Sequence, residues 1–421
     1  MPNTPSSAVT VAWSDPEPRW SLDPLVRHMN HGSFGAVPVA VQDEQARLRG
    51  LMEWNPVRWF ATLAPRIASA REEMASLLNV DASRMAFVLN ASAGASVVFQ
   101  SLLGADPVDV MVTNHGYGAI TMGAHRLAHR TGGRASTANI GLSASADEVL
   151  GVIVAALDEH RPHLLVVDQL TSATARQFPV DEICQAARQR GVMTLVDGAH
   201  APGVLEAPVC READYWVGNL HKFVCAPRGA AVLVTRGAGQ ELFPIIDSWG
   251  SPNPFPERFD HNGTLDITAW LTAPFAWRHL DETIGWSQIR DHSRTVMDDG
   301  CAILAAALDG LVKGAQPDVG QPVGPMRLLK LPGSLAGTHQ QADALRVPFG
   351  DATGIAAAFT NFEGVGYLRL SAHAYTSIHD FEYLATVGIP LLHEWSSTPA
   401  KGTTTSRQST IIKEDRCARS F

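Results

Sequence analysis

Hydrophobic positions along the chain fall into short unbroken runs separated by longer amphipathic stretches. AFVLN (86–90), VDVMVT (108–113), HLLVVD (163–168), VMTLVD (192–197), YWVGN (215–219) and AAVLVT (230–235) are rich in β-branched and aliphatic residues and predict strands. Between them, 94–103, 118–130, 145–160 and 179–190 carry helical spacing. Runs of Val and Leu without polar alternation belong to strands buried on both faces, as in a mostly parallel sheet covered by helices. The predicted class is therefore α/β. In such sheets ligands sit beyond the carboxyl ends of the strands, so the polar residues following each run are the place to look for chemistry.

Past residue 275 the pattern changes. A helical stretch at 284–308, a strand-like MRLLKL (326–331) and a strand-to-helix unit from 367 to 392 predict a smaller α+β domain. The expected division is a large ligand-binding domain at 51–274 and a small domain at 275–397, with 20–50 packing against the latter. Residues 1–19 and 398–421 are polar and aperiodic, and are expected to be a flexible N-terminal tail and a disordered C-terminal one.

The chain has 421 residues, 45% hydrophobic and 18% charged, which is ample for a core and too long for a single one. With 33 Lys+Arg against 42 Asp+Glu, the formal net charge is −9, and no basic run offers a nucleic-acid surface. No stretch reaches the ~18 apolar residues of a membrane span, and no membrane partner is expected. The start lacks the basic-then-apolar pattern of a secretory leader. Five cysteines without paired spacing read as reduced thiols, which points to the cytoplasm.

Neither a P-loop nor a glycine-rich dinucleotide fingerprint is present, and there is no HExxH, so no metal site is expected. The informative stretches are TLVDGAHAPG (194–203) and WVGNLHKFVCAPRGAAVLV (216–234). A buried strand ends in Asp197, and His200 follows three residues on. Another ends in Asn219, His221 and Lys222. A lysine set among apolar residues at a strand end is costly to charge, and its pKa falls. That is the property of a Schiff-base lysine. An acid on the neighbouring strand end suits a pyridinium nitrogen, the electron-sink end of pyridoxal 5′-phosphate (PLP).

Together with NHGSFGAVP (30–38), NASAGAS (90–96), TNHGYGA (113–119), DQLTSATARQFPV (168–180), HNGTLDITAW (261–270) and LRLSAHAYTS (368–377), these stretches occur in one order. In that order the chain resembles class V, fold type I PLP enzymes, specifically the isopenicillin N epimerase-like branch related to cysteine desulfurases. The resemblance spans about 28–395. It implies a large domain with a mostly parallel sheet of the seven-stranded type plus a smaller α+β domain. By position, Lys222 carries the cofactor and moves the Cα proton, Asp197 pairs with the pyridine nitrogen, and Ser172 and His200 lie near the ring hydroxyl. Ala91 and Ser92 open a helix whose amides suit a phosphate, with Asn219 or His221 adding contacts. Thr264 reaches the phosphate of a neighbouring subunit, which implies a homodimer with active sites at the interface. His115 and Tyr117 compete to stack on the ring, and position favours His115. Arg369 grips the substrate carboxylate, although its L-R-L-S alternation alone reads as solvent-facing. Asn30, His31, Asn55 and Arg58 line the substrate pocket.

For such an enzyme the leading expectation is epimerisation or racemisation of an amino acid through Lys-assisted Cα deprotonation, with Tyr117, His31 or water serving the second face. The alternative is β- or γ-elimination or replacement, such as a C–S lyase. A persulfide-forming desulfurase is disfavoured, because the stretch matching its cysteine-bearing loop (331–350) has no cysteine and Cys301 falls on a helix. A catalytically silent paralogue is disfavoured by the retention of both Lys222 and Asp197.

Overall fold

The computed structural model describes residues 19–104 and 106–397. The expected tails, apart from Arg19, and Cys417 therefore lie outside the described residues. Along the chain, β1 (Arg27–His28) precedes α1 (Val39–Trp54), α2 (Pro56–Ala61) and α3 (Leu63–Leu77). Then β2 (Met85–Val88), α4 (Ala91–Ser101), β3 (Val110–Thr113), α5 (Gly118–Thr131), β4 (Ala135–Ala138) and α6 (Ala146–His160) alternate. They are followed by β5 (Leu164–Asp168), α7 (Val180–Arg188), β6 (Met193–Asp197), β7 (Tyr215–Asn219) and β8 (Ala231–Thr235). The remainder comprises α8 (Thr268–Thr283), α9 (Trp286–Ala307), β9 (Met326–Lys330), α10 (His339–Thr353), β10 (Ile355–Ala356), β11 (Ala358–Phe362), β12 (Val365–Ser371), α11 (Ile378–Tyr383) and α12 (Ile389–Ser397).

Seven strands form one sheet in the order β2-β8-β7-β6-β5-β3-β4. It is parallel from β7 to β4, while β8 runs against both neighbours. Side chains leave both faces into core. Leu164 and Val166 pack under α4 and α5, whereas Leu165 and Val167 pack with α3, α6, α7 and α8. That two-sided burial is why the strands read as continuous Val/Leu runs. Helix starts are fixed locally as well: Ser145 accepts from the Glu148 amide and Glu148 reaches back to the Ser145 amide, a capping box opening α6.

A second core surrounds the antiparallel sheet β11-β12-β9, where Leu368 and Leu370 meet Met297, Leu304, Phe349 and Phe381. The segment 20–50 divides between the two cores. β1 pairs with β10, whereas Val41 and Leu48 of α1 pack into the large core. Helix α8 runs unbroken through Pro274, so a division at 274/275 falls inside it. The stretch 331–350, matched above to a loop, leads into α10, which opens with its own capping box at Thr338 and Gln341.

Candidate active site

At the carboxyl ends of β5 and β6, Asp168 and Asp197 stand in cross-strand register, both buried. Past the end of β7 the chain turns and delivers Lys222, whose Nζ lies 2.9 Å from Nε2 of His200. The same His200 nitrogen is 3.0 Å from the Gly32 carbonyl. Burial lowers the Lys222 amine to about 8; Arg369 pushes the same way, and Asp197 and Asp168 oppose. Burial, then the Asp197 charge, drive Asp168 well above the carboxylate range. Burial also raises Asp197, but the Ala199 amide, 2.9 Å from Oδ1, and the Lys222 charge pull it back. Of the two, Asp168 is pushed up the further. Burial, together with the charges of Lys222 and Arg369, keeps His200 neutral.

The start of α4 forms a second wall. Asn90 caps it, its Oδ1 accepting from the Ala93 amide at 2.8 Å. The Ala91 amide donates to Asn219 Oδ1 at 2.9 Å, so two residues expected to meet a phosphate hold each other. Ser92 sits inside the first turn; it is not the cap, and its amide and hydroxyl have no protein acceptor among the described residues. His221 donates from Nδ1 to the Ala230 carbonyl at 2.8 Å. Thr264 is exposed, in a turn tied to its neighbours by the Gly263 amide donating to Ser248 Oγ at 3.0 Å.

The third wall is the Arg369 guanidinium, 3% exposed, which corrects the solvent-facing reading of its strand pattern. It donates to the Ser172 carbonyl at 2.8 Å, to Ser172 Oγ at 3.2 Å, to Asn30 Oδ1 at 3.2 Å and to Ser33 Oγ. Every one of these acceptors is neutral, and Nε has no partner among the described residues. A buried cation with no carboxylate nearby is held for an incoming anion. Ser172 is thus engaged with Arg369 as well as lying near Asp168.

Three expectations change. His115 is 1% exposed, with Nδ1 2.7 Å from Thr174 Oγ1, Nε2 3.0 Å from the Ile140 carbonyl, and its ring against Phe178 and Phe362. Burial lowers it to about 4. It presents no open face for stacking, whereas Tyr117, 44% exposed and anchored by its amide 3.3 Å from Asp168 Oδ1, does. His31 is fully buried behind Lys222, with both nitrogens engaged, and so is not a pocket-lining residue. Arg58 lies exposed on α2, where Asn55 caps the helix by accepting from the Arg58 amide at 3.0 Å; neither touches the Lys222 cluster.

Sequence reasoning passed over Asp168, Ser33 and Asn90. Asp168 was signalled by its place at the end of a buried run, like Asp197; Asn90 was signalled by the cap position before a helix. The donor set fits PLP: a half-buried amine of lowered pKa, a buried carboxyl on the adjacent strand end, a helix N-terminus with a free amide and hydroxyl, and a guanidinium lacking a counter-ion among the described residues.

Comparisons with known proteins agree. Residues 55–384 match the aminotransferase class-V family. The chain is 30% identical to isopenicillin N epimerase of Streptomyces clavuligerus, covering 89% of this chain and 96% of that one. It is 29% identical to a putative L-cysteine desulfhydrase of Oryza sativa subsp. japonica, over 76% of this chain and 70% of the relative. Among solved structures, a cystine C–S lyase with its product cysteine persulfide superposes with a TM-score of 0.72 at 18% identity, over 87% of this chain and 97% of that one. The chain belongs to the aminotransferase class-V family of PLP-dependent enzymes.

Proposed function

We propose that the enzyme epimerises or racemises an amino acid, with Lys222 moving the Cα proton on one face and Tyr117 on the other. The observation that carries this reading is the Lys222 amine, 2.9 Å from His200 Nε2, in the same pocket as the buried Arg369 guanidinium, which has no carboxylate partner among the described residues. Arg369 binds the substrate carboxylate in a bidentate contact. Asp197 would pair with the pyridine nitrogen of bound PLP, and Ser92 at the α4 N-terminus would hold its phosphate. The bound cofactor supplies an electron sink that acidifies Cα–H. Lys222, whose amine is lowered to about 8 and is neutral above it, would accept that proton. Tyr117 is the exposed aromatic here and interacts electrostatically with Arg369; His31, enclosed and doubly bonded, drops out as a second base.

The second reading, β- or γ-elimination, shares the Lys222 step and is supported by the desulfhydrase relatives. Persulfide transfer has no thiol to work with among the described residues: Cys184, Cys210, Cys225 and Cys301 are buried, and burial pushes Cys301 up to about 12. Incubating candidate amino acids with the enzyme in deuterated water separates the readings. Deuterium at Cα in recovered substrate of both configurations is the expected result. Release of pyruvate, ammonia or a thiol instead would replace epimerase with lyase.

A homodimer is part of the proposal. Trp249, 88% exposed, lies beside Ser248, which ties down the Thr264 turn, and Trp54 and Val57 are also bare. The bare Trp249 next to a residue expected to serve a neighbour's cofactor supports a dimer interface at this turn. A cytoplasmic location is supported by the free thiols, and no described helix is long and apolar enough to cross a membrane.

A further inference from the structure

Directly behind Lys222 lies a cluster that the proposed chemistry does not use. Cys225 Sγ is 3.7 Å from His31 Nε2 and 3.6 Å from His373 Nε2, and all three residues are sealed from solvent. A thiol and two imidazoles this close suggest a metal ion first. The geometry argues for another use. The two imidazoles stack with centroids 4.2 Å apart and planes 17° apart, and each Nε2 is already turned to a backbone carbonyl. His31 Nε2 is 3.1 Å from the Lys222 carbonyl, and His373 Nε2 is 3.1 Å from the Phe223 carbonyl. A ring nitrogen facing a carbonyl carries the proton and donates it. The Tyr375 hydroxyl, 2.9 Å from His31 Nδ1, donates into the other side of that ring.

We propose that His31 and His373 are positioning residues, paired donors that grip the Lys222 and Phe223 carbonyls and so hold the turn aiming the Lys222 amine at His200 and Asp197. The turn needs holding. Its last residue, Cys225, donates its amide to the Lys222 carbonyl at 2.9 Å and sits at φ 60°, a left-handed conformation that costs a non-glycine residue energy. On the other side Gly35 makes room, since a Cβ there would lie 2.5 Å from the Lys222 oxygen. His373 and Tyr375 come just after β12, the strand that carries Arg369, so one segment presents both the guanidinium and the grip. The inference depends on the reading of Lys222 as the cofactor-bearing residue for its catalytic consequence, but the position of the amine is measurable without cofactor.

The test compares His373→Leu, His373→Gln and Tyr375→Phe in the full chain. Gln supplies an amide donor near the place of Nε2, and Leu supplies none. In cofactor-free protein, the pH dependence of Lys222 modification by trinitrobenzenesulfonate is followed by peptide mass spectrometry. The groups facing Lys222 are Asp168 from β5, Asp197 and His200 from β6 and its exit, His221 beside it, and Arg369 from β12. None of them is altered by these substitutions. The expected midpoint is about 8 in the native chain and the Gln variant, and at least one pH unit higher in the Leu variant. In the holoenzyme, kcat for Cα deuterium exchange should fall at least tenfold in His373→Leu with KM within twofold, and recover in part in His373→Gln. If His373→Leu does not fold, Tyr375→Phe decides, with a smaller upward shift expected. An unmoved midpoint in a folded Leu variant, equal behaviour of Leu and Gln, or stoichiometric zinc in the native protein overturns the proposal. A Lys222→Ala protein that still bound cofactor covalently would instead sink the assignment of Lys222, whatever the titration showed.

Discussion

At the scale of single residues, the site rests on Arg369, which is sealed from water, and on Lys222, which is half-buried. Arg369 donates only to neutral acceptors. A carboxylate placed against it gains a charge-assisted contact worth ~1.5–3 kcal/mol. Arg369→Ala should therefore raise KM for the amino acid by about 10- to 150-fold in steady-state assays; an unchanged KM would remove Arg369 from the pocket. Lys222 makes a prediction in pH. Its neutral form is the nucleophile, and its midpoint is about 8. Uptake of PLP by cofactor-free protein, followed by absorbance, should accelerate as pH rises through about 8 and level off above it. A midpoint near the ordinary lysine value would contradict the burial argument. The sign for stability follows: above about 8 the folded chain has released a proton that the unfolded chain still binds, so this group makes the fold more stable as pH climbs toward the ordinary lysine value.

At the scale of elements, the close fit between the 30–38 segment and the Lys222 turn is open to test. A Cβ at Gly35 would meet the Lys222 carbonyl oxygen at 2.5 Å and the His221 oxygen at 2.9 Å, both backbone atoms that cannot swing aside. Overpacking of this kind costs ~1–3 kcal/mol. Gly35→Ala is expected to keep its circular dichroism spectrum yet hold PLP about tenfold more weakly in equilibrium dialysis; native retention would show that the turn is not confined. The strands nearest the site were legible because Val166, Val196 and Val217 are flanked by other buried apolar residues on both faces. The strand β4 was not. It is the short edge strand Ala135–Ala138, half exposed and without a hydrophobic run, and it pairs only with β3. Helix α10 hid behind Pro348 within its span, although its Thr338–Gln341 cap was readable. Arg369 misled because alternation assumes one wet face, and β12 is buried along nearly its whole length. No local signal distinguishes His115 from Tyr117. Which of them is enclosed depends on Phe178 and Phe362, far along the chain.

At the scale of the whole molecule, the bare indole of Trp249 next to the Thr264 turn is the feature that a partner copy would cover. Burying an aromatic anchor of this type contributes ~2 kcal/mol or more at an interface. Trp249→Glu should shift the sedimentation coefficient to that of a monomer and lower PLP content in parallel; a monomer that keeps its cofactor would detach the dimer from the site. The pocket also joins the two ends of the sequence. Arg369 is held by Asn30 across a separation of 339 residues, and Gly32 donates its amide to Ser371. In a chain folding as it emerges, Lys222 precedes the Arg369 segment by most of the small domain, so this contact forms late. Until Arg369 and Ser371 dock against Asn30 and Gly32, that wall of the pocket stays open.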